Sequence, residues 1–191
     1  MEFLQIPQHL HNACHSKTFS RTSHDTHWTA PKVSHLKVNT DATWDSSTNS
    51  CGIAAVVRDS NGLLVGGSSR FDMASSPLAA EALAIQLGLT LASSLSLSSF
   101  QLESDSLVLI SAFLNPLSTV DWSASQLVSR IRSQAALFHR VNWHWASRRA
   151  NRAADLVAAL ALHRVCIDDW TSNPPPSLMR ILLFDAAGPP P

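Results

Sequence analysis

The chain has 191 residues, enough for one domain with a substantial hydrophobic core. It contains 14 Lys and Arg against 14 Asp and Glu, so its formal net charge is zero. This balance argues against a broadly basic nucleic-acid-binding protein, so any binding of that kind has to depend on a local patch. Cys14, Cys51 and Cys166 lie far apart and form no metal-binding pair, which fits a reducing compartment.

The first 34 residues differ in composition from the rest and predict a poorly ordered leader. They are rich in His, Ser and Thr and show no sustained hydrophobic periodicity. A metal site around His9, His11, Cys14 and His15 is an alternative, although these residues lack regular ligand spacing. We find no secretory signal and no apolar stretch long enough to span a bilayer. We therefore expect an intracellular protein, in the nucleus or the cytoplasm, without membrane contact.

Three strands joined by turns are predicted first. Apolar and polar residues alternate from residue 36 to residue 40, which indicates a strand with one polar face. A second strand is predicted at 51–58, and the sequence DSNG at 59–62 is typical of a hairpin turn into a third strand at 63–71.

Helices and strands then alternate. Ser76 and Pro77 predict the start of a helix. Its amphipathic pattern is carried by Leu78, Ala82, Ile85, Leu89 and Ala92. Further elements are predicted as a strand at 100–104, helices at 106–114 and 122–138, a strand at 141–145 and a helix at 151–163. Together they predict an α/β fold with helices packed on a mixed sheet over residues 35–165. Residues 166–191 are predicted to be a C-terminal extension, either docked on the surface or loose.

Four carboxylates stand at positions that suit a site. Asp41 and Asp105 are predicted at the ends of strands, where open α/β sheets place their sites. Glu81 falls on the apolar stripe of a helix, where a carboxylate is costly unless it is paired or bound to a cation. Asp155 lies in the first turn of a helix. Each also has an ordinary structural interpretation, which suits Glu81 least. Asp41 can be a turn residue, Asp105 a helix cap and Asp155 a dipole partner.

The order of these carboxylates resembles a known family. The segments are LKVNTDA at 36–42, AEALA at 80–84, LESDS at 102–106 and ANRAAD at 150–155. They resemble the plant type 1 ribonuclease H-like domain, which is related to the C-terminal domains of non-LTR retrotransposon polyproteins. The resemblance covers about residues 28–185. It implies a ribonuclease H-like fold, a five-stranded mixed sheet of order 3-2-1-4-5 with strand 2 antiparallel to the others.

The resemblance also implies an activity. It implies an endonuclease that hydrolyses the RNA strand of RNA–DNA hybrids with two Mg²⁺ ions, for which Mn²⁺ can substitute. Asp41 would bridge the ions, with Glu81 and Asp105 on one and Asp155 on the other. Products would carry a 3′-hydroxyl and a 5′-phosphate, and the hybrid would be recognised by its 2′-hydroxyls and backbone shape. We expect a monomer.

A basic segment precedes the last carboxylate. Arg148, Arg149, Asn151 and Arg152 are predicted to contact nucleic acid beside the scissile phosphate. The alternative is a solvated loop, or arginines engaged in salt bridges within the protein. Trp44, Trp143 and Trp145 can stack on bases or sugars, although tryptophans near strands are more often part of the core.

One position departs from the residue pattern of the family that the sequence resembles. Many members carry a histidine ten residues before the final aspartate, and here that position is Trp145. His144 is the nearest histidine and a possible proton shuttle, but in a regular strand a one-residue offset turns a side chain to the opposite face. Two other functions therefore stay open. One is a remnant of a retrotransposon domain that binds nucleic acid without turnover, and the other is a protein-interaction module.

Overall fold

The computed structural model describes residues 27–115, 117–165 and 169–187. Most of the predicted leader, including its His and Cys cluster, lies outside the described residues, as does Cys166. None of the helices in the described ranges has the length and hydrophobicity needed to cross a bilayer.

Five strands form one mixed sheet. They are β1 (Lys37–Asp45), β2 (Ser50–Arg58), β3 (Leu64–Met73), β4 (Ser99–Ser104) and β5 (Arg140–Trp145). Their order is β3-β2-β1-β4-β5, with β2 antiparallel to both of its neighbours and β4 parallel to β1 and β5. The predicted fold class, strand order and orientation of the second strand are confirmed.

The described residues contain five helices beside the sheet. They are α1 (Pro77–Ser94), α2 (Leu107–Leu114), α3 (Trp122–Ala135), α4 (Arg152–Leu162) and α5 (Pro176–Ala187). The α1 helix begins where the sequence predicted, because the Ser76 side chain accepts a hydrogen bond from the backbone N–H of Ala79 and Pro77 follows it. The α5 helix was not predicted as a helix, since the prolines at 174–176 and the tail's mixed composition obscured its periodicity.

The sheet is covered on both faces, and β2 shows how the sequence achieves this. Its alternate residues Ile53 and Val57 face the core under α1 and α3, whereas Ala54 and Val56 face a second core under α4 and α5. All four are fully buried. A strand buried on both faces reads as a continuous apolar run, as this one does.

The first strand is longer than predicted, and this changes the position of Asp41. It continues to Asp45 in antiparallel pairing with β2, so Asp41 lies within the strand and not at its end. The parallel pairing with β4 ends earlier, at Asn39 and Glu103. Asp41 is therefore just beyond the last residue pair that joins β1 to β4, where the two strands separate and leave room for a site.

Segments on both sides of the predicted domain pack against it. Trp28, within the predicted leader, is buried, so the expectation of poor order does not hold for this residue. Trp170, Leu178 and Leu182 of the predicted extension are buried in the core under α4. The extension is therefore docked, although the division of the chain into three parts stays a prediction.

Candidate metal centre

Three of the four carboxylates converge from different elements. Asp41 comes from the middle of β1, Glu81 from the second turn of α1 and Asp105 from the residue that follows β4. One oxygen of each lies within 4.8 Å of an oxygen of the other two. The α1 helix can approach β1 closely because Gly88 has no side chain. A Cβ at this position would lie 2.6 Å from the Thr40 methyl carbon. A helix glycine thus helps to set how near Glu81 comes to Asp41.

The electrostatics of this cluster favour protonation of the carboxylates. Burial raises the pKa of Asp41 well above its ordinary value, and the charges of Glu81 and Asp105 raise it further. Burial and Asp105 raise the pKa of Glu81 in the same way. Burial also raises the pKa of Asp105, although the positive charge of Arg148 lowers it in part. Like charges held together out of water are unfavourable, so the cluster is suited to a bound cation.

A single atom gives an independent indication of a cation. The Oε2 atom of Glu81 is buried and has no hydrogen-bond partner among the described residues. A buried polar atom without a partner is costly, and native structures seldom leave one unsatisfied. Three carboxylates offer the hard oxygen ligands that Mg²⁺ and Mn²⁺ prefer. The residues present therefore fit a divalent cation.

Asp155 differs from the other three carboxylates. It lies in the first turn of α4 and forms an ion pair with Arg148, whose Nη2 is 3.1 Å from Asp155 Oδ1. It is not among the carboxylates whose oxygens converge. Its charge still raises the pKa of Asp41 and Asp105, so it lies near the cluster. The positive charge that pairs with Asp155 is therefore the guanidinium of Arg148, a group of the protein itself.

The predicted nucleic-acid contacts separate into two groups. Arg148, Arg149 and Arg152 are exposed, and Arg148 lines an open depression of about 310 Å³ together with Asp41, Glu81 and Asp105. Asn151 is fully buried and cannot contact nucleic acid, so that expectation is wrong. Its Nδ2 instead donates to Thr40 O at 2.9 Å and to Asp41 Oδ1 at 3.2 Å.

The structure distinguishes His144 from Trp145. The β5 strand is regular through both residues, with His144 opposite Glu103 and Trp145 opposite Ser104. The charged groups acting on His144 are Glu103 and Lys37, which belong to a buried polar group behind the site. Trp145 donates its indole N–H to Asp105 O at 2.9 Å. Position 145 therefore lies beside Asp105, whereas His144, one residue earlier in a regular strand, faces the other side of the sheet.

The other two tryptophans that could stack on nucleic acid, Trp143 and Trp44, have mainly structural roles. Trp143 stacks on Phe113 with ring centroids 4.4 Å apart, as the core interpretation predicts. Trp44 is half-buried and donates to Ala74 O at 2.9 Å, although it also lines the depression beside the carboxylates.

Sequence reasoning missed a polar group buried behind the carboxylates. Its members are Lys37, Asn39, Arg58, Glu103 and Asp185. The signal was the polar face of the first strand, which reads as solvent-exposed by itself. It is buried because Trp28 and α5 cover it, and neither contact is visible in the local pattern.

Comparisons with known proteins agree with this geometry. The fold and the carboxylate cluster define a ribonuclease H-like α/β domain. A family model described as "Reverse transcriptase-like" matches residues 39–161, and the chain belongs to this family. No curated protein sequence matches significantly. The plant and retrotransposon parts of the predicted resemblance stay predictions.

Solved structures show the same fold. The N-terminal RNase H domain of rv2228c from Mycobacterium tuberculosis, solved as a fusion with maltose-binding protein, has a TM-score of 0.63 at 20% identity, covering 69% of this chain and 95% of that chain. RNase H1 from the archaeon Halobacterium salinarum has a TM-score of 0.64 at 18% identity, covering 68% and 98%. LC11-RNase H1, solved in complex with an RNA/DNA hybrid, has a TM-score of 0.62 at 15% identity, covering 68% and 97%.

Proposed function

We propose that this protein is a divalent-metal-dependent endonuclease that hydrolyses the RNA strand of RNA–DNA hybrids. The observation that carries the proposal is the convergence of Asp41, Glu81 and Asp105 around a buried Glu81 oxygen that no described group satisfies. The fold shared with RNase H1 proteins, one of them solved on a hybrid, supports this choice of substrate.

The chain's residues have distinct roles in this proposal. Asp41, Glu81 and Asp105 would hold one Mg²⁺ or Mn²⁺, and Asp155 would contribute to a second after release from Arg148. Bound cations of this kind activate water and stabilise charge on the phosphate oxygens. Arg148 has a 74% exposed side chain beside the depression, so it can pair with a phosphate once it leaves Asp155.

A cleavage assay tests the proposal. We expect purified protein to cut the RNA strand of a labelled hybrid with Mg²⁺ or Mn²⁺, to leave single-stranded RNA and duplex DNA uncut, and to lose activity in EDTA. Asp41→Asn and Asp105→Asn should abolish cleavage. Asp72→Asn, which removes a charge from the half-exposed Arg70–Asp72 pair, should not.

The same assay distinguishes the alternatives. A folded protein that retains hybrid but does not cut with either cation would be a nucleic-acid-binding remnant. The Arg148–Asp155 ion pair and Trp145 beside Asp105 are the observations that favour this second function. A protein that neither binds metal nor retains hybrid would instead be an interaction module.

A further inference from the structure

An ion pair closes the polar group on the side away from the carboxylates. Arg58 Nη1 lies 2.7 Å from Asp185 Oδ2 on α5, with side chains 0% and 7% exposed. The guanidinium also lies over the Trp28 ring, 3.7 Å from its centroid. A charge buried this deeply is tolerated only when it is paired. The segment 27–34, through Trp28, and α5, through Asp185, therefore both contact the buried guanidinium of Arg58.

This end of the group orients the side-chain amide of Asn39. Arg58 Nη2 and the Trp28 indole both donate to Asn39 Oδ1, each at 3.0 Å. An amide has one accepting oxygen and one donating nitrogen, so two donors on the oxygen determine which way it faces. The Nδ2 of Asn39 then donates to Glu103 Oε2 at 2.9 Å and to Asn151 Oδ1 at 3.2 Å.

The same constraint passes to the next amide. Because the oxygen of Asn151 accepts from Asn39, its nitrogen faces Asp41 and donates to Oδ1 at 3.2 Å. Asn39 and Asn151 are fully buried and Asp41 is 2% exposed. Bulk water is therefore not available to replace a misdirected donor. The direction of the Asn151 amide depends on Asn39 together with Thr40 O, to which the Asn151 nitrogen also donates at 2.9 Å.

We propose that Arg58, Asn39 and Asn151, together called the amide relay, orient the Asp41 carboxylate for metal binding, and that Asp185 and Trp28 are positioning residues at its distal end. The proposal rests on the proposed function, since it assigns a purpose to the orientation of a metal ligand. If the donors on Asn39 were lost, either amide could turn. A reversed Asn151 would direct an oxygen at the Asp41 carboxylate and repel it.

Metal affinity tests the relay without requiring turnover. The variant Trp28→Phe/Arg58→Met/Asp185→Leu removes both donors on Asn39 Oδ1 and replaces the ion pair with apolar side chains, an exchange that buried pairs often tolerate. We expect its affinity for Mn²⁺, measured by calorimetry without nucleic acid, to fall about tenfold or more, the usual effect of losing groups that orient a metal ligand. The matched control Trp122→Phe/Arg70→Met/Asp72→Leu changes an exposed tryptophan and the half-exposed ion pair and should bind Mn²⁺ like the wild type.

A second variant decides the question if the first does not fold. Asn39→Asp is close to isosteric, and its carboxylate still accepts from Arg58 and Trp28, but it can donate to neither Asn151 nor Glu103. A simple charge effect would tighten Mn²⁺ binding, whereas loss of the relay weakens it. Unchanged or tighter binding in a folded Asn39→Asp protein, or wild-type affinity in the folded triple variant, overturns the relay alone. Absence of Mn²⁺ binding by the wild-type chain overturns the metal proposal and the relay with it.

Discussion

Glu81 and Asp155 show how differently two carboxylates can be placed on helices. Glu81 lies among apolar residues of α1, and burial raises its pKa while one of its oxygens has no hydrogen-bond partner in the part of the chain that the structure describes. Asp155 is more exposed and already paired with Arg148. The first is therefore the better candidate for holding a cation tightly in the free protein. The second becomes available only when Arg148 finds another anion, which a phosphate would supply.

At the same scale, we predict that position 145 and not position 144 limits the chemistry. His144→Ala should leave kcat within about twofold, because the His144 side chain faces Glu103 and Lys37. Trp145→His should raise kcat, because it places an imidazole beside Asp105, and general acid–base assistance is typically worth about 10²–10⁴-fold. Single-turnover cleavage of a hybrid measures both effects. A hundredfold loss in His144→Ala with unchanged metal affinity would make His144 the proton shuttle and refute this interpretation.

The loop before α4 and the first residue of that helix carry three exposed arginines. We predict that replacing Arg148, Arg149 and Arg152 by Ala weakens hybrid binding and reduces its dependence on salt concentration, because fewer neutralised phosphates release fewer counterions. The measurement is the slope of log K against log salt concentration. Arg70→Ala, in the strand β3, is the control. An equal slope in the triple variant and the wild type would leave these arginines as surface charges without contact to the hybrid.

Close packing of α4 on the sheet depends on a glycine in β2. A Cβ on Gly52 would lie 2.0 Å from Ala158 O and 2.2 Å from Leu162 N, both backbone atoms of α4. We predict that Gly52→Ala lowers the free energy of unfolding by about 1–3 kcal/mol or more, the usual cost of overpacking. Urea denaturation measures this loss.

The matched control for this substitution is Gly66→Ala in β3. Its Cβ would meet Leu95 Cδ1 at 2.8 Å, the end of a flexible side chain that can move aside. We expect a much smaller effect there. Equal losses in the two variants would show that the backbone contact of Gly52 is not what limits the approach of α4.

At the scale of the whole molecule, the carboxylate cluster should make stability depend on pH. The folded-state pKa values of Asp41, Glu81 and Asp105 are raised, so above about pH 4, where free carboxyl groups ionise, these three groups hold more protons in the folded protein than in the unfolded one. Linkage then requires the free energy of unfolding to fall as pH rises through the neutral range. We predict a falling Tm from about pH 5 to pH 8 without divalent cation, and a gain from Mn²⁺ that grows with pH.

Asp41→Asn and Asp105→Asn provide the check on this pH dependence. Removing one buried charge relieves repulsion, so both variants should match or exceed the wild-type Tm at pH 8 without metal and show a shallower decline with pH. Differential scanning calorimetry measures it, with Asp72→Asn as the control. A large loss of Tm in both variants would mean that these carboxylates stabilise the fold, and that their mutual repulsion does not destabilise it.

The sequence alone determined the order and type of most elements, because period-2 and period-3.6 patterns and the Ser76 cap are local properties. It also singled out Asp41, Glu81 and Asp105, which converge in the structure, since Glu81 conflicts with its apolar surroundings and the other two follow ordered motifs. The role of Asp155 stays a prediction. The predicted element boundaries were less accurate at β1, where pairing with β2 extends the strand past Asp41.

Only the tertiary structure decided which polar residues face one another. Asn151 appeared to belong with the exposed arginines by sequence proximity, yet it is buried against Asn39, which is 112 residues away. Arg58 and Asp185 are 127 residues apart and form one buried ion pair. Long-range contacts of this kind depend on how the two terminal segments pack on the sheet, and no local pattern records that packing. The carboxylates were therefore predictable one by one, whereas the hydrogen bonds that orient Asp41 emerged only from the fold.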